Sequence, residues 1–162
     1  MRSTINRFLE IVLLIIISIM LVSVIWQVVS RYVLGSPSTL TDEIASFALI
    51  WLGLYGAAYA TGKQLHLAID LIPTATVAKS PKFFVGIVTV SIVLFALAVM
   101  GVGGVNLCWV TFELKQQSAA LKIPLFWIYS AVPISGLLIV YYSLDTFFQE
   151  FLDQKPAQDG LR

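Results

Sequence analysis

Four charge-free apolar runs occupy most of this 162-residue chain: Ile11–Ser30, Ile44–Gly62, Phe83–Phe112 and Ile123–Leu144, holding 20, 19, 30 and 22 residues. A helix crossing a hydrocarbon core of roughly 30 Å needs about 20 predominantly apolar residues. A water-soluble domain this small could not bury four such segments, because too much of its surface must face solvent. The pattern therefore predicts an all-α integral membrane protein with four transmembrane helices. Charged residues make up only 12% of the chain, half the roughly 25% of a soluble domain. Residues 1–152 read as a single four-helix membrane domain and residues 153–162 as a polar C-terminal tail.

Several function classes fall away at this level. The formal net charge is +1, so no field draws nucleic acid, and the basic residues are scattered. The lone Cys108 makes no internal disulfide and no metal motif, and reads as a small filler of the third span. His66 is the only histidine, so one chain cannot supply a bis-histidine haem site. No nucleophile and base fall into one constellation, which argues against an enzyme and against a cofactor. Arg2 and Arg7 precede an apolar stretch, as in a secretory signal. However, Glu10 interrupts its start, the run is too long, and no small-x-small cleavage site follows. The N-terminus is read as an uncleaved first span.

With four spans, both termini and the Lys63–Lys82 loop share one side. That side carries Arg2, Arg7, Lys63, Lys79, Lys82, Lys155 and Arg162, against Arg31, Lys115 and Lys122 on the other. The excess places the termini in the cytoplasm. On the outer side, Gly35-Ser36-Pro37-Ser38 ends the first helix and Thr41 is expected to cap the second. Asp42 and Glu43 sit at the positive end of that helix, and Arg31 at the negative end of the first. Arg31 either pairs with these carboxylates or snorkels separately.

The second span carries Gly53 with Ala57 and Gly56 with Ala60, small-xxx-small pairs that let helices approach closely. The third run is too long for a simple span, since 30 helical residues reach about 45 Å. It must tilt, or bend near Gly101, Gly103 and Gly104, and Glu113–Ala120 is expected to continue it outward. Pro133 should kink the fourth helix. No ionisable residue lies near the centre of any run, where proton relays and ion-coupling sites generally place one. Asn106 is read as interhelical glue. In the inner loop, His66 and Asp70 form a structural clasp if that segment turns helically.

Arg31-Tyr32-Val33, Pro37, the acidic pair ending at Glu43, Trp51 and Gly56-Ala57-Ala58 resemble the small membrane subunit of tripartite ATP-independent periplasmic (TRAP) transporters. His66 with Asp70 is similar to that family's histidine-x-x-x-aspartate loop. Ala120-Leu121-Lys122-Ile123-Pro124, then Tyr129 and Pro133, resemble its entry to the fourth helix. The likeness runs from about Arg7 to Phe148 and rests on the order of these motifs. Leu40 stands where an aromatic is expected, and the acid pair is Asp-Glu rather than Glu-Glu.

The resemblance implies an accessory role in the bacterial inner membrane. A periplasmic substrate-binding protein captures an organic anion, a sialic acid or a C4-dicarboxylate, and a large permease subunit carries it inward on a sodium gradient. Gly53, Gly56, Ala57 and Ala60 are then candidates for the large-subunit interface. Arg31, Asp42, Glu43, Glu113, Lys115 and Lys122 are candidates for docking the binding protein, or else a solvated rim. Trp26, Tyr32, Trp109, Trp127 and Tyr129 form an aromatic belt in contact with membrane lipid. The alternatives are an autonomous four-span transporter working as a homodimer, which lacks its expected membrane-embedded glutamate here, and a redox-enzyme anchor, which lacks histidines.

Overall fold

In hydrocarbon every backbone N–H and C=O must be satisfied within its own segment, which leaves the helix as the solution for each apolar run. The computed structural model describes residues 2–63 and 81–152, all helices and short connections. These are α1 (Arg2–Tyr32), α2 (Thr39–Gly62), α3 (Pro81–Phe95), a π-helical stretch (Ala96–Gly103), α4 (Gly104–Glu113), α5 (Leu125–Tyr129) and α6 (Ala131–Leu152). Four spans are long and apolar enough to cross a membrane: Ser3–Tyr32, Thr39–Gly62, Gly86–Glu113 and Leu125–Gln149.

Gly35 adopts φ +63°, the left-handed turn that a helix end favours and glycine accepts without strain. α2 is then capped by Ser38, not by the expected Thr41. The Ser38 hydroxyl accepts from the Thr41 amide at 3.5 Å. Thr41 lies one turn inside the helix, with its hydroxyl donating to the Ser38 carbonyl at 3.2 Å.

The third span, α3 through α4, accommodates its length by widening. Its middle turns, Ala96–Gly103, run as a π-helix, which inserts extra residues into the turn. The span does not continue through Glu113–Ala120 as expected. It stops at Glu113, and Lys115 takes φ 48°, a left-handed conformation that no helix can carry. Residues 114–124 instead form a tight loop closed by a bridge between Gln117 and Pro124. The fourth span is interrupted at Ser130, between α5 and α6. Pro133 lies just beyond, and its missing N–H leaves the Tyr129 carbonyl without a helical donor.

Packing runs α1 on α2, α2 on α6, and α6 on the third span. The spatial order of spans is therefore first, second, fourth, third. A small core of Ala58, Ala96, Met100 and Ile139 lies where α2, the π-helical stretch and α6 meet. Close approach there depends on absent side chains. A Cβ on Gly136 would fall 2.7 Å from the Met100 Cβ, and one on Gly62 2.9 Å from the Tyr142 ring.

Candidate functional site

Two polar clamps hold the ends of this row of helices, and each uses an acid from a span terminus. At the N-terminal end of α1, Tyr59 of α2 donates its hydroxyl to the Glu10 carboxylate at 2.6 Å. Lys63 pairs with the same oxygen at 3.4 Å and lies 5.4 Å above the Tyr59 ring. The neighbouring Tyr59, and then the Glu10 carboxylate, raise the Lys63 pKa above that of a free lysine. One turn earlier on α1, Asn6 accepts from the Tyr142 hydroxyl of α6 at 2.6 Å. These contacts join the first, second and fourth spans at one membrane face.

The opposite clamp is built on Glu43. Its carboxylate accepts from the Ser118 hydroxyl and from the amides of Ala120 and Leu121 at 2.9 and 3.0 Å. Three donors converging on one carboxylate keep the loop between the third and fourth spans seated on the start of α2. The ring of Trp51 repeats the theme one helical stretch deeper, donating to the Ile128 carbonyl of α5 at 3.0 Å. Gln27 ties α1 to the start of α2 through the Thr41 carbonyl at 2.9 Å.

The six residues expected at the outer rim therefore divide. Glu43 is turned inward and engaged by the loop, whereas Arg31, Asp42, Glu113, Lys115 and Lys122 are exposed. Arg31 does not pair with Glu43. It lines a polar recess of about 390 Å³ with Gln27, Ser38, Thr39 and Asp42, which matches separate snorkelling better than an ion pair.

The small residues divide in a similar way. A Cβ on Gly53 or Gly56 would meet nothing within 4 Å. Gly53 and Ala57 are exposed, and Gly56 and Ala60 are partly so. Together with Asp42, Ser46 and Leu49 they lie along the side of α2 that this chain leaves open. The contacts within the chain use other small residues: Gly62, Gly104 and Gly136, with Ala58, Ala96 and Ala131 fully buried. Spacing alone does not separate the two sets: Ala58 and Gly62 share it with the first set, whereas Gly104 and Gly136 have no small residue four positions away. A workable signal was the pairing of glycine near a span end with a bulky aromatic at matching depth, as in Gly62 and Tyr142.

Cys108 is half-buried, with its sulfur 4.0 Å from the Phe126 carbonyl, the filler position expected. Trp26, Tyr32, Trp109 and Trp127 are exposed, as an aromatic belt requires. His66 and Asp70 lie outside the described residues, as does the 153–162 tail. Among the described residues, no group of histidine, cysteine and carboxylate side chains is placed to hold a metal ion.

Comparison with known proteins bears on what such a scaffold serves. The family model for the DctQ component of tripartite ATP-independent periplasmic transporters matches residues 20–153. A protein of Haemophilus influenzae strain Rd, named as a TRAP transporter small permease, is 30% identical over 83% of this chain and 82% of its own length. The sialic acid TRAP transporter small permease SiaQ of Vibrio cholerae is 22% identical over 91% of this chain and 84% of its own. The sialic acid TRAP transporter permease SiaT of a second Haemophilus influenzae strain is 27% identical over 71% of this chain. The aligned part is only 18% of that longer protein.

Proposed function

The chain belongs to the DctQ family of TRAP transporter small subunits, multi-pass proteins of the inner membrane, and from that premise we propose that it braces a large permease subunit. The transport it supports is sodium-driven, depends on a periplasmic binding protein, and brings in an organic anion. The relatives' names point to a sialic acid or a C4-dicarboxylate as the cargo class.

The observation that carries this reading is the use the chain makes of its acids within the spans. The acids of the described spans, Glu10, Asp42, Glu43, Glu113 and Asp145, all lie toward span ends, and Glu10 and Glu43 are engaged in helix-to-helix or helix-to-loop contacts. Transport sites need ionisable groups facing a pathway near the middle of the membrane. Among the described residues no ionisable group lies near the middle of a span, and in this reading the coupling chemistry belongs to the partner. The longer SiaT relative supports that division, because a segment like this chain is there joined to a much larger permease.

In this reading the open side of α2, with Gly53, Gly56, Ala57 and Ala60, receives a helix of the large subunit. The exposed Arg31, Asp42, Glu113, Lys115 and Lys122 face the periplasm and meet the binding protein, while Glu43 shapes the loop that presents Lys115 and Lys122. The excess of lysine and arginine on the side of the termini places those termini in the cytoplasm.

Sodium-dependent uptake in proteoliposomes, with and without this chain beside the large subunit and binding protein, tests the proposal. Loss of uptake without the chain, and no transport by the chain alone, is the expected result. Solute movement by the chain alone would instead establish the autonomous transporter.

A further inference from the structure

The outward face of the third span carries a group that lipid cannot satisfy. Asn106 is exposed on α4, and its carboxamide has no hydrogen-bond partner among the described residues. It lies seven residues before Glu113, the end of the helix, or about 10 Å along the axis. Trp109, which is 62% exposed, marks the interface one turn further out. Asn106 therefore lies about 5 Å to the apolar side of that level.

The rest of the helix shows that this direction is outward. Gly104 and Thr111 are buried, with Gly104 packed on Val132 and Pro133 of α6. Two residues on, a side chain points roughly 200° away. Val102 and Val110 lie with Asn106 on the exposed side, Val102 at 72%. A Cβ on Gly103 would meet only the Ala98 carbonyl of its own helix, at 3.9 Å. The face carries Val102, Gly103 and Val110 around one amide, with the exposed Trp109 ring one turn along.

An amide facing lipid leaves two donors and an acceptor unsatisfied, which is costly in a medium that offers no hydrogen bonds. A neighbouring transmembrane helix with a polar side chain at the same depth removes that cost. We infer that the Val102, Gly103, Asn106 and Val110 face is a second contact surface for the large permease subunit, with Asn106 hydrogen-bonded to a polar side chain of one of its membrane helices. The inference rests on the assignment to the TRAP small-subunit family. The large subunit is chosen over a second copy because the SiaT relative holds a larger permease and a segment like this chain in one polypeptide.

Asn106→Leu and Asn106→Gln in the complete transporter, extracted in mild detergent, test this inference. Leucine has the same side-chain heavy-atom count and branching, suits lipid, and stands at an exposed position, so the isolated subunit keeps its thermal stability. Recovery of the large subunit with the Leu variant should fall about threefold to tenfold, the range that one interhelical hydrogen bond supports in a membrane. Glutamine should restore most of it. A photoreactive residue at Val102 should crosslink to the large subunit in intact membranes. Full recovery with Asn106→Leu, or crosslinks only to lipid or to a second copy of this chain, would overturn the inference and leave the accessory role intact. Failure of the unaltered chain to co-purify with any large permease would overturn both.

Discussion

Replacing Gly136 by alanine should destabilise this subunit, although alanine is the better helix former. In a helix interior alanine gains about 0.8–1 kcal/mol over glycine. A steric clash outweighs that gain here. The new methyl would lie 2.7 Å from the Met100 Cβ and 3.3 Å from the Ala96 carbonyl oxygen. Neither is the far end of a flexible side chain, so relief requires α6 and the π-helical stretch to move apart. Overpacking of this kind costs about 1–3 kcal/mol, and the rigid contact places Gly136→Ala toward the upper part. The net loss should be about 1–2 kcal/mol, or roughly a five- to thirtyfold change in the folded ratio. Gly53→Ala is the matched control. It adds the same methyl to another spanning helix, where nothing lies within 4 Å, so only the propensity gain remains. Thermal unfolding of the purified subunit in detergent should rank Gly53→Ala at or above the unaltered chain, and Gly136→Ala clearly below. Equal stability of the two variants would refute the claim that α6 and the third span are held in contact through the missing side chain.

Other contacts make separable predictions. Tyr142→Phe keeps the fully buried ring and removes the hydrogen bond to Asn6, so stability should fall by about 1 kcal/mol in the same thermal assay. Trp51→Phe should cost a similar amount, about 1 kcal/mol, by removing the indole donor to the Ile128 carbonyl. Glu43→Gln should speed amide hydrogen exchange at Ala120 and Leu121, which donate to the carboxylate, while exchange in α6 stays unchanged. Leucine at both Gly53 and Gly56 should reduce co-purification with the large subunit while leaving the fold and substrate preference unchanged. Full co-purification and normal uptake would place the interface elsewhere.

The unexpected features share one origin. The sequence marks Glu10 as a charge at the edge of the first span, but its partners Tyr59 and Lys63 follow 49 and 53 residues later, on another helix. Their meeting depends on the vertical register of two antiparallel helices, which hydropathy leaves undetermined over several residues. Glu43 reads naturally as a helix-dipole carboxylate. Its capture by Ser118, Ala120 and Leu121 follows only because the third helix stops at Glu113 and the chain doubles back. That stop rests on a left-handed lysine, a residue with no strong preference for the conformation. The expected extension of the helix failed for this reason, and the expected Thr41 cap yielded to Ser38, an equally good capping side chain at the true helix start.

Hydropathy alone determines the four spans, because the cost of exposing a peptide group to lipid acts on each segment without reference to its neighbours. The positions of the connections between spans are legible for the same local reason. The order of helices is not, since α2 and α6 pack together across a long stretch of intervening chain. Nor does small-xxx-small spacing say which side of a helix its own chain will cover. Gly53 and Gly56 have that spacing and stand open, Gly62 shares it with Ala58 and is in contact, and Gly104 and Gly136 lack it and are in contact. In a bilayer all helix faces are similarly apolar, so shape complementarity between particular helices decides the pairing, and that is a property of the assembled fold.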